Sequence, residues 1–213
     1  MVFTSRADGD FAVDAAGVEA RRAQMVQNRP CVWLRQAHGV EVIKVLDQAS
    51  ARRLGGSTAD AAVTAGVDIA LSVVTADCVP IAMVCGHIGA VVHAGWRGLL
   101  GGIIERTVAE MQALSDPNAP ITAFVGPCIH PTSYAFGHEL EALAKRYGDV
   151  VLGRTDDGAP ALDMPAAVAA ACKAAGVTLD ASMCEDTAPE RFFSHRVRQD
   201  RERQALFLWR TGP

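Results

Sequence analysis

These 213 residues contain no CxxC pair, no His-x-His pair and no apolar run near the ~18 residues of a membrane span. Each absence excludes something. Without CxxC spacing there is no zinc-ribbon or thioredoxin-type motif. Without paired histidines, six histidines in all cannot supply a four-copper oxidase centre. Positive charge is also scarce: the formal net charge is −4 and the pI is near 5.8, which removes the electrostatic reason to expect nucleic acid as a partner. No basic segment leads into an apolar one, so no signal peptide is expected, and a reducing cytoplasm is the expected compartment. No low-complexity tract and no fixed-period repeat is present.

What is there is a chain half apolar and 21 % charged, enough for a sizeable core. The six cysteines at 31, 78, 85, 128, 172 and 184 are spread out in a chain too large to need disulfide stapling. Cys31, Cys85 and Cys172 are expected to be buried small hydrophobes. Helices are expected over 11–27, 99–113, 139–147 and from Asp163 with Pro165 to Ala175, closed by Gly176. Leu99, Ile103, Val108 and Met111 mark one helical stripe, which Asp116-Pro117-Asn118 ends. Strands are expected over 31–36, 40–45, 121–125, 192–194 and 205–209, with 55–65 as a polar surface loop. Strands and helices mix without strict alternation. The expected fold class is therefore mixed α/β, one layered domain over residues 1–213 with a mixed β-sheet.

Residues 69–94 are the most informative stretch. A turn at Gly86-His87-Ile88-Gly89 separates two apolar, β-branched runs. Folding back there places residues near 80 opposite residues near 94, so Cys78 and His93 share one end and His87 is carried to the other. His38 lies upstream, after a strand and before Gly39. A lone histidine is more often structural than ligating. Together, one thiolate and two imidazoles form a three-ligand zinc set with a fourth position open. A metal there requires neutral imidazoles, each with an acceptor for its other N–H.

Other residues are weaker signals on their own. Arg97 follows Trp96 in a glycine-rich turn opening a helix, where a guanidinium and backbone amides can hold an anion. The plain alternative is a surface arginine, and for Trp96 a core aromatic. Cys128, after Gly126-Pro127 at a strand end, and His195, after Phe193-Ser194, are expected near the pocket. Either one as a fourth ligand would turn the metal reading from catalytic to structural.

Gln36-Ala37-His38-Gly39, Thr75-Ala76-Asp77-Cys78-Val79-Pro80-Ile81, His93-Ala94-Gly95-Trp96-Arg97-Gly98, Gly126-Pro127-Cys128-Ile129 and Phe192-Phe193-Ser194 resemble the signature segments of the YfiH-type family, also called the polyphenol-oxidase or laccase-domain family. The match runs in order from about residue 19 to 209. The resemblance implies an α/β/α-type layered fold similar to cysteine-hydrolase toxins. It implies purine nucleoside phosphorylase activity on adenosine, inosine and methylthioadenosine, with some adenosine deaminase activity. It also implies a zinc ion held by His38, Cys78 and His93, which are then both the metal and the catalytic residues. The family is further linked to copper-dependent phenol oxidation and to removal of a misplaced serine from peptidoglycan precursors. Copper is thus the alternative ion. Arg21, Gln36, Asp77, Trp96, Arg97, Cys128, His195 and Arg196 are the expected substrate and phosphate residues. The partners implied are small molecules, nucleoside and phosphate, on a monomer or weak homo-oligomer. The chain departs from the family pattern at Ala135, His195 and Glu202, positions expected at the pocket rim.

Overall fold

The computed structural model describes residues 1–116 and 118–212; Pro117, part of the expected helix break, lies outside them. Two β-sheets lie face to face. The first runs in the order Val2–Phe3, Gln204–Trp209, Ala70–Thr75, Cys31–Arg35, Ser57–Thr58. The second runs Thr178–Asp180, Thr122–Val125, Val79–Cys85, Ile88–Ala94, Ala61–Thr64, Val42–Val45. Both mix parallel and antiparallel pairs. A separate two-stranded ribbon joins Leu152–Arg154 to Pro160–Leu162.

Alternation along the central strands explains the layering. Ala61, Val63, Ile81, Met83, Ala90 and Val92 pack under the helices Ile103–Gln112 and Met164–Ala174. The intervening Ala62, Ala82 and Val91 pack instead against Val32, Leu71, Val73 and Leu206 of the first sheet. Both faces of these strands are buried, which is why Val79–Cys85 and Ile88–Ala94 read as continuous apolar runs. The outer face of the first sheet is closed by Phe11 and Val26, which pack on Ala70, Ala205 and Phe207 beside the helix Val18–Met25. The mixed α/β layered class is as expected. The layering itself is helix, sheet, sheet, helix, one sheet more than the α/β/α arrangement.

The 79–94 hairpin forms as read, with Val79 opposite Ala94 and Pro80 opposite His93. The apolar run before it divides, however. Ala70–Thr75 belongs to the first sheet and Val79–Cys85 to the second, and Asp77 turns the corner at φ 99°. Residues 55–65 are not a surface loop: Ala61–Thr64 is a buried strand of the second sheet, and Asp60 is 1 % exposed. Alanine-rich composition concealed it. The expected helix over 11–27 is shorter, Val18–Met25. The helix over 99–113 is two, Trp96–Gly101 and Ile103–Gln112, split at Gly102, whose φ of 89° ends the first. Residues 192–194 form no strand; the Phe193 N–H donates to the Gln204 side chain. Cys85 and Cys172 are buried, whereas Cys31 is half-buried.

Candidate metal centre and cleft

Three times the chain leaves the first sheet and enters the second. It does so between Arg35 and Val42, between Thr58 and Ala61, and between Thr75 and Val79. These crossings carry His38, Asp60 and Cys78. His93 joins them from the last turn of the hairpin strand. The ligand atoms of His38, Cys78 and His93 all lie within 4.8 Å of one another, and the two imidazole rings meet edge to face at 4.8 Å. His38 is exposed, Cys78 half-buried and His93 buried.

Asp60 organises this corner. Its Oδ1 accepts from His93 Nδ1 at 2.8 Å and from the His38 amide at 2.9 Å. Its Oδ2 accepts from the amides of Gly39 at 2.7 Å and Ala37 at 3.2 Å. One carboxylate thus fixes the His93 tautomer, leaving Nε2 free, and holds His38 in its left-handed backbone conformation, φ 58°. Burial alone would raise the Asp60 carboxyl; the His93 bond and the amides hold it below its ordinary range instead. Burial likewise opposes a Cys78 thiolate, yet the His93 charge and bonds from His38 and His93 bring its pKa down to about 6. Burial opposes a charged His93 too, and Cys78 and Asp60 lift it to about 9. Each group thus favours the charged form of the other, the Cys78 thiolate and the protonated His93.

The donor set fits a metal ion. Tetrahedral donors around zinc are about 3.3–3.8 Å apart at ordinary bond lengths, and the three donors here all lie within 4.8 Å of one another. Gly95 leaves the room: a Cβ there would lie 2.9 Å from His38 Cδ2 and 3.3 Å from Cys78 Sγ. His38, Cys78 and His93 can therefore hold a metal through two nitrogens and one sulfur, with a carboxylate behind one histidine.

The site opens into a cleft of about 690 Å³. Gln36, Asp77, Trp96, Arg97, His195 and Arg196 line it with the ligand trio, as do Arg35, Tyr134, Arg201 and Arg203, which sequence reading did not single out. The Arg97 guanidinium stacks on Trp96 at 4.2 Å, and that of Arg196 on Tyr134 at 4.6 Å. Gln36 closes two hydrogen bonds with the Val74 backbone, at 2.7 and 2.8 Å. Asp77 is 7 % exposed, and its carboxylate accepts from Thr187 Oγ1, Ser194 Oγ and the Arg196 amide. It braces the cleft wall. Two expected pocket residues lie elsewhere. Arg21 donates to the Asp10 carbonyl at 2.6 Å, because the irregular N-terminal segment draws it away. Cys128 is fully buried beside Cys184, because the chain past Gly126 turns inward to pair with residues 185–187.

Asp60 is the principal residue missed. A signal existed: Thr58-Ala59-Asp60 repeats Thr75-Ala76-Asp77, and each triplet marks a crossing between the sheets.

The family described as multi-copper polyphenol oxidoreductase laccase matches residues 4–211. The chain belongs to that laccase-domain family. A Xylella fastidiosa protein named purine nucleoside phosphorylase is 37 % identical over 207 residues, 90 % of this chain and 78 % of its own. The Shigella flexneri purine nucleoside phosphorylase YfiH is 31 % identical over 84 % of this chain and 73 % of its own. Among solved structures, YlmD from Geobacillus stearothermophilus superposes with a TM-score of 0.81 at 25 % identity, covering 95 % of this chain and 85 % of that one. A Neisseria meningitidis protein gives the same TM-score at 27 % identity, with 95 % and 86 % covered. Among the described residues, one pair of histidines, His38 and His93, lies with a third metal donor. Among the described residues, no helix is long and apolar enough to cross a membrane.

Proposed function

We propose that this laccase-domain chain is a zinc-dependent purine nucleoside phosphorylase acting on adenosine, inosine and methylthioadenosine in the cytoplasm. One observation carries the reading. The cleft above the His38–Cys78–His93 trio is lined by five arginines (35, 97, 196, 201 and 203) and by a single carboxylate, Asp77, whose oxygens are already bonded. Such a wall suits an anionic co-substrate. Among the described residues neither Arg97 nor Arg201 has a carboxylate partner, so both guanidinium groups are available to phosphate.

Phosphorolysis breaks the bond between the sugar C1′ and the purine nitrogen and forms one from C1′ to a phosphate oxygen. The leaving base takes the electron pair of the broken bond and the proton that the attacking hydrogen phosphate gives up. The arginines hold the phosphate against the sugar and offset its charge as it approaches. Trp96 and Tyr134, which line the cleft, offer a flat purine a surface to lie against. Asp60 keeps His93 oriented throughout. A zinc ion bound at the trio would supply Lewis-acid polarisation and would account for deaminase activity as a side reaction; copper is the alternative ion at such donors.

The deciding experiment measures base release from adenosine and inosine, with and without phosphate, on protein assayed in parallel for metal. Phosphate-dependent release at stoichiometric metal is expected. No release from metal-loaded protein would refute the reading.

The Cys78–His93 ion pair favours a second one: amide hydrolysis on a peptidoglycan precursor, with Cys78 as nucleophile. Its mark would be metal-free protein active on a seryl-containing muropeptide, unmoved by chelators and abolished by alkylation.

A further inference from the structure

A second cluster of metal-binding side chains lies apart from the cleft trio. Cys128, His130 and Cys184 present their ligand atoms within 4.8 Å of one another. The Sγ atoms of Cys128 and Cys184 are 3.6 Å apart, and Cys184 Sγ is 4.0 Å from His130 Nε2. These are close to the spacings of donors around one tetrahedral ion, about 3.5–3.8 Å from metal–sulfur and metal–nitrogen bond lengths. None of the three lines the cleft.

The backbone holds the donors in place. The Cys128 amide donates to the Glu185 carbonyl at 3.0 Å, and the Thr187 amide donates to the Cys128 carbonyl at 3.0 Å. This is an isolated parallel bridge, Cys128 opposite Asp186. The His130 amide donates to the Asp186 carboxylate at 3.2 Å. Two donors thus come from a Cys-x-His step at the end of a strand, and the third comes from a segment stitched to it. The Asp186 carboxylate, held beside the cluster by the His130 amide, adds negative charge there, which favours a cation. His130 and Cys184 are half-buried, so an ion has a way in, while Cys128 is sealed on the inside.

We infer that Cys128, His130 and Cys184 form a second metal site, specific for a thiophilic ion such as zinc, that staples the Gly126–His130 turn to residues 184–187. Two thiolates and one imidazole are a soft donor set that zinc prefers and hard cations avoid. Each thiol gives its proton to solvent as its sulfur binds. The staple bears on the first site through Asp77, which accepts from Thr187 Oγ1 at 2.9 Å and whose carbonyl accepts from the Ile129 amide at 2.9 Å.

The test removes the first site and looks for the second. Cys78→Ala protein, purified under a phosphine reductant, is loaded with zinc alone, dialysed and assayed for metal. One zinc per chain is expected to remain. Adding Cys184→Ser or His130→Ala should lower it to none, with circular dichroism reporting that the fold persists. Cobalt in place of zinc should give Cys78→Ala protein a thiolate charge-transfer band that Cys184→Ser weakens. A folded Cys78→Ala protein that retains no zinc overturns the proposal. So does zinc retention that neither added substitution diminishes. A Cys128–Cys184 disulfide found by mass spectrometry, in protein that binds no zinc once reduced, would make the pair a redox pair and would also overturn it.

Discussion

Asp60 shows how much one side chain can decide. Its carboxylate touches three successive amides and the ring of a metal ligand, so Asp60→Asn keeps the shape but weakens every one of those bonds. Losing a carboxylate behind a ligating histidine typically lowers metal affinity about 10–100-fold, and that loss is expected here by competition with a chromogenic chelator. Cys78→Ala should abolish both metal at the trio and turnover. A Cys78→Ala variant with full activity would overturn the site assignment. Cys128→Ala, by contrast, should leave the trio's metal in place. The ion pair makes a separate prediction. In metal-free protein, Cys78 should alkylate with a pH midpoint near 6, because its thiolate persists down to that value. Cys31 and Cys172, pushed up to about 12 mainly by burial, should stay unreacted at neutral pH. A Cys78 midpoint near the ordinary ~8.5 would show that His93 is not charged beside it.

Elements explain what could and could not be read in advance. The hairpin was legible because its apolar runs, its glycine turn and its length all agree, and it alone brings Cys78 and His93 together. The strand Ala61–Thr64 was not legible. Three of its four residues are alanine or valine in a stretch flanked by Gly, Ser, Thr and Asp, so its identity comes from pairing with Ile88–Ala94 and Val42–Val45 rather than from its own propensity. Asp60 was lost with it. Nor did periodicity reveal that residues 69–79 change sheets, since both halves are equally apolar and the corner costs only one unusual residue, Asp77. Arg201 and Arg203 reach the cleft from the segment before the C-terminal strand, and nothing local announces that destination. The helix start after His93 carries its own prediction. Gly95→Ala places a methyl between His38 and Cys78, and should cost metal at the trio while leaving the circular dichroism spectrum unchanged.

At the scale of the whole molecule, charge and burial are arranged around the seam between the sheets. The chain is acidic overall, yet its cleft is arginine-lined. Arg97→Ala should raise the KM for phosphate about tenfold or more, the effect of one charge-assisted hydrogen bond of ~1.5–3 kcal/mol, with a smaller change in the KM for nucleoside. Added salt should weaken phosphate binding in the same direction. The helix-facing core is the other global element. Met83 is fully buried under the helices, so Met83→Ala should lower unfolding stability by about 2–5 kcal/mol in denaturant titration without altering the cleft.

The three crossings also set a timetable for biosynthesis. Ala70–Thr75, which delivers Cys78 to the seam, pairs on one edge with Cys31–Arg35 and on the other with Gln204–Trp209. A growing chain exposes His38, Cys78 and His93 long before residues 204–209 have been made. Until that last strand docks, the sheet that aims Cys78 has an open edge, and the three donors have no fixed relation to one another. Metal captured before that strand docks would therefore be held by an unfinished site, so loading of the trio belongs after Gln204–Trp209 has zipped into place against Ala70–Thr75.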